Sequence, residues 1–157
     1  MNGSALHMLR KTGLGAALLG LTLLVAGTAR AADEDVKMGA IGGLSAAFLV
    51  QSYLNIGLLA DASAKKDADK EQLASTLTIV ENLLGETEKQ LDTVLKSDIT
   101  DDDKAALKKI KSCYALLNEQ ISALHTFWKE QNEANGKAFE QTRVEAWKKI
   151  SATLGIK

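Results

Sequence analysis

The side chains able to do covalent or acid–base chemistry are few. The 157 residues hold two histidines, His7 and His125, and one cysteine, Cys113. Catalysis of the hydrolytic or acid–base kind needs a nucleophile, a base and an orienting group in mutual reach. His125 and Cys113 are twelve residues apart. On one helix that separation is about 18 Å along the axis, which forbids a Cys–His pair within a chain. A solitary cysteine also excludes an internal disulfide framework and a Cys-cluster metal site.

Metal and phosphate chemistry find no better footing. Bundle metal sites use carboxylates with Glu-x-x-His spacing on facing helices, and the residue three before His125 is Ser122. The acidic runs Asp33-Glu34-Asp35 and Asp101-Asp102-Asp103 lack the alternating ligands and the glycine of a calcium loop. They read as solvated helix starts. The glycines between Gly39 and Gly43 sit inside an apolar stretch, not in a phosphate-cradling loop. The expectation is a protein that is not an enzyme, with no catalytic residue, no metal and no cofactor.

Processing alters the arithmetic. Arg10 and Lys11 precede the uncharged, leucine-rich run Gly13 to Gly27, and Ala29-Arg30-Ala31 places small residues at −3 and −1. That order predicts a secretory signal peptide over 1–31, cleaved after Ala31, and export to a bacterial periplasm. Its removal takes away Arg10, Lys11 and Arg30 and no acid, so the formal net charge goes from −1 to −4. A mildly acidic chain whose one remaining arginine is Arg143 lacks the clustered cations that phosphate neutralisation needs, so nucleic acid is not an expected partner.

The elements that must position any site are helical. Zero proline and the weight of Ala, Leu, Lys and Glu favour helix. Leu107, Ile110, Tyr114, Leu117, Ile121, Leu124 and Trp128 alternate three and four apart. Leu73, Leu77, Val80, Leu84, Leu91 and Val94 do the same, with Thr87 in the remaining slot. Such runs mark helices packed as in bundles. Polar breaks fall at Ser63–Asp67, Ser97–Thr100 and Asn135-Gly136. The apolar stripe changes phase at Asn135-Gly136, which places a turn there. Residues 32–157 are therefore expected to form one all-α domain, an antiparallel up-down-up-down four-helix bundle with helices about 36–62, 68–97, 101–134 and 137–154. The fourth is the shorter.

The first of these helices is unusual. No charge occurs in the 23 residues between Lys37 and Asp61. A helix apolar nearly all round is either buried or in a membrane, and Gln51, Ser52, Tyr53 and Asn55 at its centre favour burial in an assembly over membrane association. A shorter fourth helix would leave the start of this helix short of a neighbour. Gly39 and Gly43 form a small-xxx-small pair that lets backbones approach closely. They are the expected contact of a homodimer, with Cys113 as a further candidate should it reach the surface in an oxidising compartment.

The segment Ala32-Asp33-Glu34-Asp35-Val36-Lys37-Met38 resembles the beginning of the haem-binding b-type cytochrome four-helix bundles, where an early Met is a ligand. The likeness spans seven residues. That family's second ligand is a His on the last helix, and residues 137–157 contain none.

Aromatic residues gather near the third turn. Phe127, Trp128, Phe139 and Trp147, with Leu54 and Leu58, are the expected lining of an apolar pocket, and Arg143 could meet a ligand's carboxylate. Two functions follow from the sequence. One is an exported interaction module that self-associates through its first helix and could hold a protein partner. The alternative is a carrier or sensor of a small apolar ligand or cofactor at the aromatic end.

Overall fold

A computed structural model describes residues 34–65 and 69–156. The signal-peptide expectation, on 1–31, lies outside the described residues. Four helices account for nearly all of the described chain, with no strand among them: α1, Glu34–Ser63; α2, Lys70–Leu95; α3, Asp101–Lys129; α4, Glu133–Leu154. They have 30, 26, 29 and 22 residues.

Each helix begins on a side chain that satisfies an orphan backbone N–H wherever its start is described. Asp69 accepts from the Gln72 amide at 3.1 Å to open α2. Thr100 accepts from the Asp103 amide at 3.1 Å to open α3, with Asp101, Asp102 and Asp103 at the positive end of the helix dipole. This is the start expected from the sequence.

The third connection differs from expectation. α3 ends at Lys129, and Asn132 caps α4 by accepting from the Asn135 amide at 2.9 Å. The Asn135 side chain donates to the Glu130 carbonyl at 2.9 Å and closes the corner. Asn135 and Gly136 therefore lie in the first turn of α4, not in the turn between helices. Gly136 packs against Phe127, and a Cβ there would meet the ring in ordinary contact at 3.4 Å. The left-handed glycine is instead Gly155, with φ +67°, where α4 stops and the Ile156 amide donates to the Ser151 carbonyl at 3.0 Å.

The predicted stripes form the core. Leu73, Leu77, Val80, Leu84 and Leu91 of α2 are buried, as are Leu107, Ile110, Tyr114, Leu117, Ile121 and Leu124 of α3. Phe139, Ala146 and Ile150 supply the α4 side. α1 contributes Ser45, Leu49, Ser52, Ile56 and Leu59, again four and three apart. Two of those five are serines, and their small size lets α1 lie against Tyr114. The Tyr114 hydroxyl donates to the Ser45 carbonyl at 2.9 Å, and its ring stacks on Phe48.

Candidate functional site

The outer side of α1 is the least ordinary surface among the described residues. Among the described residues seven large hydrophobics are exposed, and four of them belong to this helix: Val36, Leu44, Leu54 and Leu58, the last 63% exposed. Surface hydrophobics scattered singly need no explanation, but a contiguous patch does. Val36–Ser63 is long and apolar enough to cross a membrane, with mean hydropathy 1.4, yet only 28% of its most apolar window is buried. Gly39 and Gly43 are exposed, and a Cβ added to either would meet nothing within 4 Å. Among the described residues they ease no packing. The one polar group in the middle of this face, Gln51, donates to Asn55 at 3.0 Å on its own helix.

Cys113, the third expected contact, is not on that face. It is fully buried and free, with its sulfur 3.4 Å from the Thr153 hydroxyl and 3.5 Å from the Lys109 carbonyl. It flanks the α3 core stripe and turns toward α4, so it cannot form a disulfide between copies without unfolding. A buried free cysteine of this kind packs as a small hydrophobe with a weak S–H donor.

The residues expected to line an aromatic pocket are dispersed. Leu54 and Leu58 face outward and Phe139 is core. Phe127 lies over Gly136. Trp147 stacks on Tyr53 with ring centroids 5.1 Å apart. Arg143 binds Glu140 through both Nε and Nη2, at 3.0 and 2.6 Å, and that bond raises its pKa above the ordinary arginine value. The physical cause of the dispersal is angular: residues one apart on a helix diverge by about 100°, so Phe127 and Trp128 face different neighbours.

A different hollow forms where α2 begins and α3 ends. It encloses about 280 Å³ and its walls include Lys70, Leu73, His125, Trp128 and Lys129. Of the seven expected residues, Trp128 alone lines it. Its indole N–H is buried with no hydrogen-bond partner among the described residues. His125 lies beside it with its ring edge-on to Trp128 and its Nε2 3.8 Å from Glu81. No group of three or more His, Cys, Asp or Glu able to hold a metal ion occurs among the described residues.

The sequence reading missed Gln120. It is wholly buried on α3, and neither its amide nitrogen nor its oxygen has a partner among the described residues. Its place, seven after Cys113 on the flank toward α4, was a signal that could have found it.

No family model matches the chain, and neither a curated protein nor a solved structure shows significant similarity to it. The class that fold and surface define is an all-helical chain with an uncharged helix face left open.

Proposed function

We propose that this protein is an exported, non-enzymatic helical-bundle interaction module that self-associates through α1. The open, uncharged outer face of α1 carries this reading. Burying apolar surface stabilises by about 25 cal/mol per Å², and a helix that keeps Leu44, Leu54 and Leu58 in water forgoes that gain until a second surface covers it. Export rests on the residue order Arg10-Lys11, apolar run, Ala29-Arg30-Ala31. The absence of catalysis rests on the placement of the sole mature histidine and cysteine, one exposed and one buried on a single helix.

The bundle runs up-down-up-down, with α4 too short to accompany the start of α1. Three polar pairs support the reversal between α2 and α3: Asp92 with Lys111, Glu88 with Asn118, and Glu81 with His125. As numbers fall on one helix they rise on the other. Cys113 with Thr153 and Phe127 with Gly136 support the same for α3 and α4. Along α1 and α3 the numbers rise together, from Ser45 beside Tyr114 to Ser63 and Trp128 around one hollow.

The test is a native mass spectrum of the exported chain. Loss of residues 1–31 together with a dimer supports the proposal; an uncleaved chain or a strict monomer refutes the corresponding half. A second reading is favoured by the hollow whose walls combine Leu73 and Trp128 with Lys70, Lys129 and His125: it would hold a small anionic ligand with an apolar body. The same spectrum reads a bound small molecule as added mass.

A further inference from the structure

We infer that two copies join antiparallel along α1, in one register centred on Leu49. The inference rests on the self-association proposed above and specifies its geometry. Positions 37, 40, 44, 47, 51, 54, 58 and 61 alternate three and four apart, and every one is exposed. They form a second seam on α1, opposite the one that packs on the bundle. A seam of this period fits another helix by inserting side chains of one into spaces of the other.

The occupant follows from the order of residue types along the seam. Numbers that sum to 98 face each other when the seam meets its own copy head to tail. Lys37 then meets Asp61 of the second copy, and Ala40 meets Leu58. Leu44 meets Leu54, and Ala47 meets Gln51. Each layer occurs twice. Opposite charges pair at both ends, a small residue faces a large one next, and leucine faces leucine within. Just beyond, the sequence repeats the sign pattern, with Asp35 before Lys37 and Lys65 after Asp61.

The parallel alternative fails on the same residues. It places Lys37 on Lys37 and Asp61 on Asp61, and it pairs Ala40 with Ala40 where Leu58 would have filled the space. Like charges directly opposed disfavour a pairing, and this sets orientation in helix pairs. Gln51 reinforces the choice. In the antiparallel register the two glutamines lie about 6 Å apart along the axis, so their amides reach across the two-fold axis. A single polar residue in an apolar seam fixes register at some cost in stability.

A lipid bilayer suits this face less well. Tyr114 and Trp147 hold α1 on the bundle through Ser45 and Tyr53. The other helices carry exposed charges such as Glu81, Lys108 and Glu145, so α1 would have to leave them to span a membrane. The glycines at 39 and 43 flank the seam and keep the approach open.

Cysteine cross-linking tests the register, because buried Cys113 stays out of reach in the folded chain. Chains carrying Leu44→Cys and Leu54→Cys are prepared separately, oxidised alone, and oxidised as a mixture. The expected result is a disulfide dimer in the mixture and none with either chain alone, since like positions are about 15 Å apart along the axis. Cross-linking of each chain alone would overturn the antiparallel register. A wild-type dimer with no cross-link in any arm would also overturn it while leaving self-association intact. A wild-type monomer at all concentrations, or one that collects on phosphatidylcholine vesicles instead, would overturn both. Charge exchange gives an independent readout. Lys37→Glu or Asp61→Lys should weaken the dimer by about fivefold, and the double exchange should restore it.

Discussion

The Tyr114 hydroxyl, at the centre of α3, donates to the carbonyl of Ser45 in α1 at 2.9 Å. This bond fixes which side of an almost uniformly apolar helix turns inward. The carbonyl already serves the helix, so Tyr114 adds a second interaction to it. Tyr114→Phe should cost about 1 kcal/mol in thermal unfolding, and no loss would mean that the bond contributes nothing net.

The same tyrosine sets an alkaline limit. Burial, with smaller contributions from Glu88 and Cys113, holds its phenol far above the ordinary value of 10.0. A group whose folded pKa is raised contributes stability that is full below the unfolded value and lost above it. Stability should therefore fall from pH 10 upward, and Tyr114→Phe should fall less steeply. Equal slopes in denaturant titrations across that range would contradict this.

Gln120 is a cost the core carries. Its amide is wholly buried with no partner among the described residues, and an unsatisfied buried group costs about 1–3 kcal/mol. Gln120→Met keeps the length and removes the polar atoms, so the unfolding midpoint should rise by a few degrees. A fall would show that the amide is in fact engaged.

Three substitutions locate the ends of α4. Asn132→Ala should cost about 1 kcal/mol through loss of the cap. Gly155→Ala should cost about 1–2 kcal/mol, because φ is +67° there. Gly136→Ala should be neutral or slightly stabilising, since the residue is helical and the Phe127 ring has little to yield. The reverse ranking of Gly136 and Gly155 would restore the turn to Asn135-Gly136.

Cys113 should resist aromatic disulfide reagents until the protein unfolds, and a non-reducing gel should show no disulfide dimer of the wild-type chain. Rapid labelling under native conditions would contradict its place between Lys109 and Thr153.

The stripes of α2 and α3 were legible because charged residues occupy their other faces, and period then reads directly as side. Asp101, Asp102 and Asp103 were legible as a helix start because consecutive acids suit the positive end of the helix dipole. The start of α4 was less so: Asn135-Gly136 is a strong turn signal, whereas Asn132 acts as a cap only once its bond to the Asn135 amide is made. The aromatic pocket failed because nearness in sequence does not fix direction. Trp147 finds Tyr53, more than ninety positions earlier. α1 was the least legible of all. Its inward stripe carries Ser45 and Ser52 while its outward stripe carries Leu44, Leu54 and Leu58. Hydrophobicity alone gives this helix almost no preferred side, and the Tyr114 hydroxyl and the serines' small size favour the one that packs.

Sedimentation equilibrium of residues 32–157 beside the Leu58→Glu variant tests self-association through α1 most directly. The wild type should be a dimer on the order of tens of micromolar, and the variant should dissociate about tenfold more readily or further, with unchanged helical circular dichroism. A wild type that stays monomeric, or a variant that dimerises as tightly, would contradict the account.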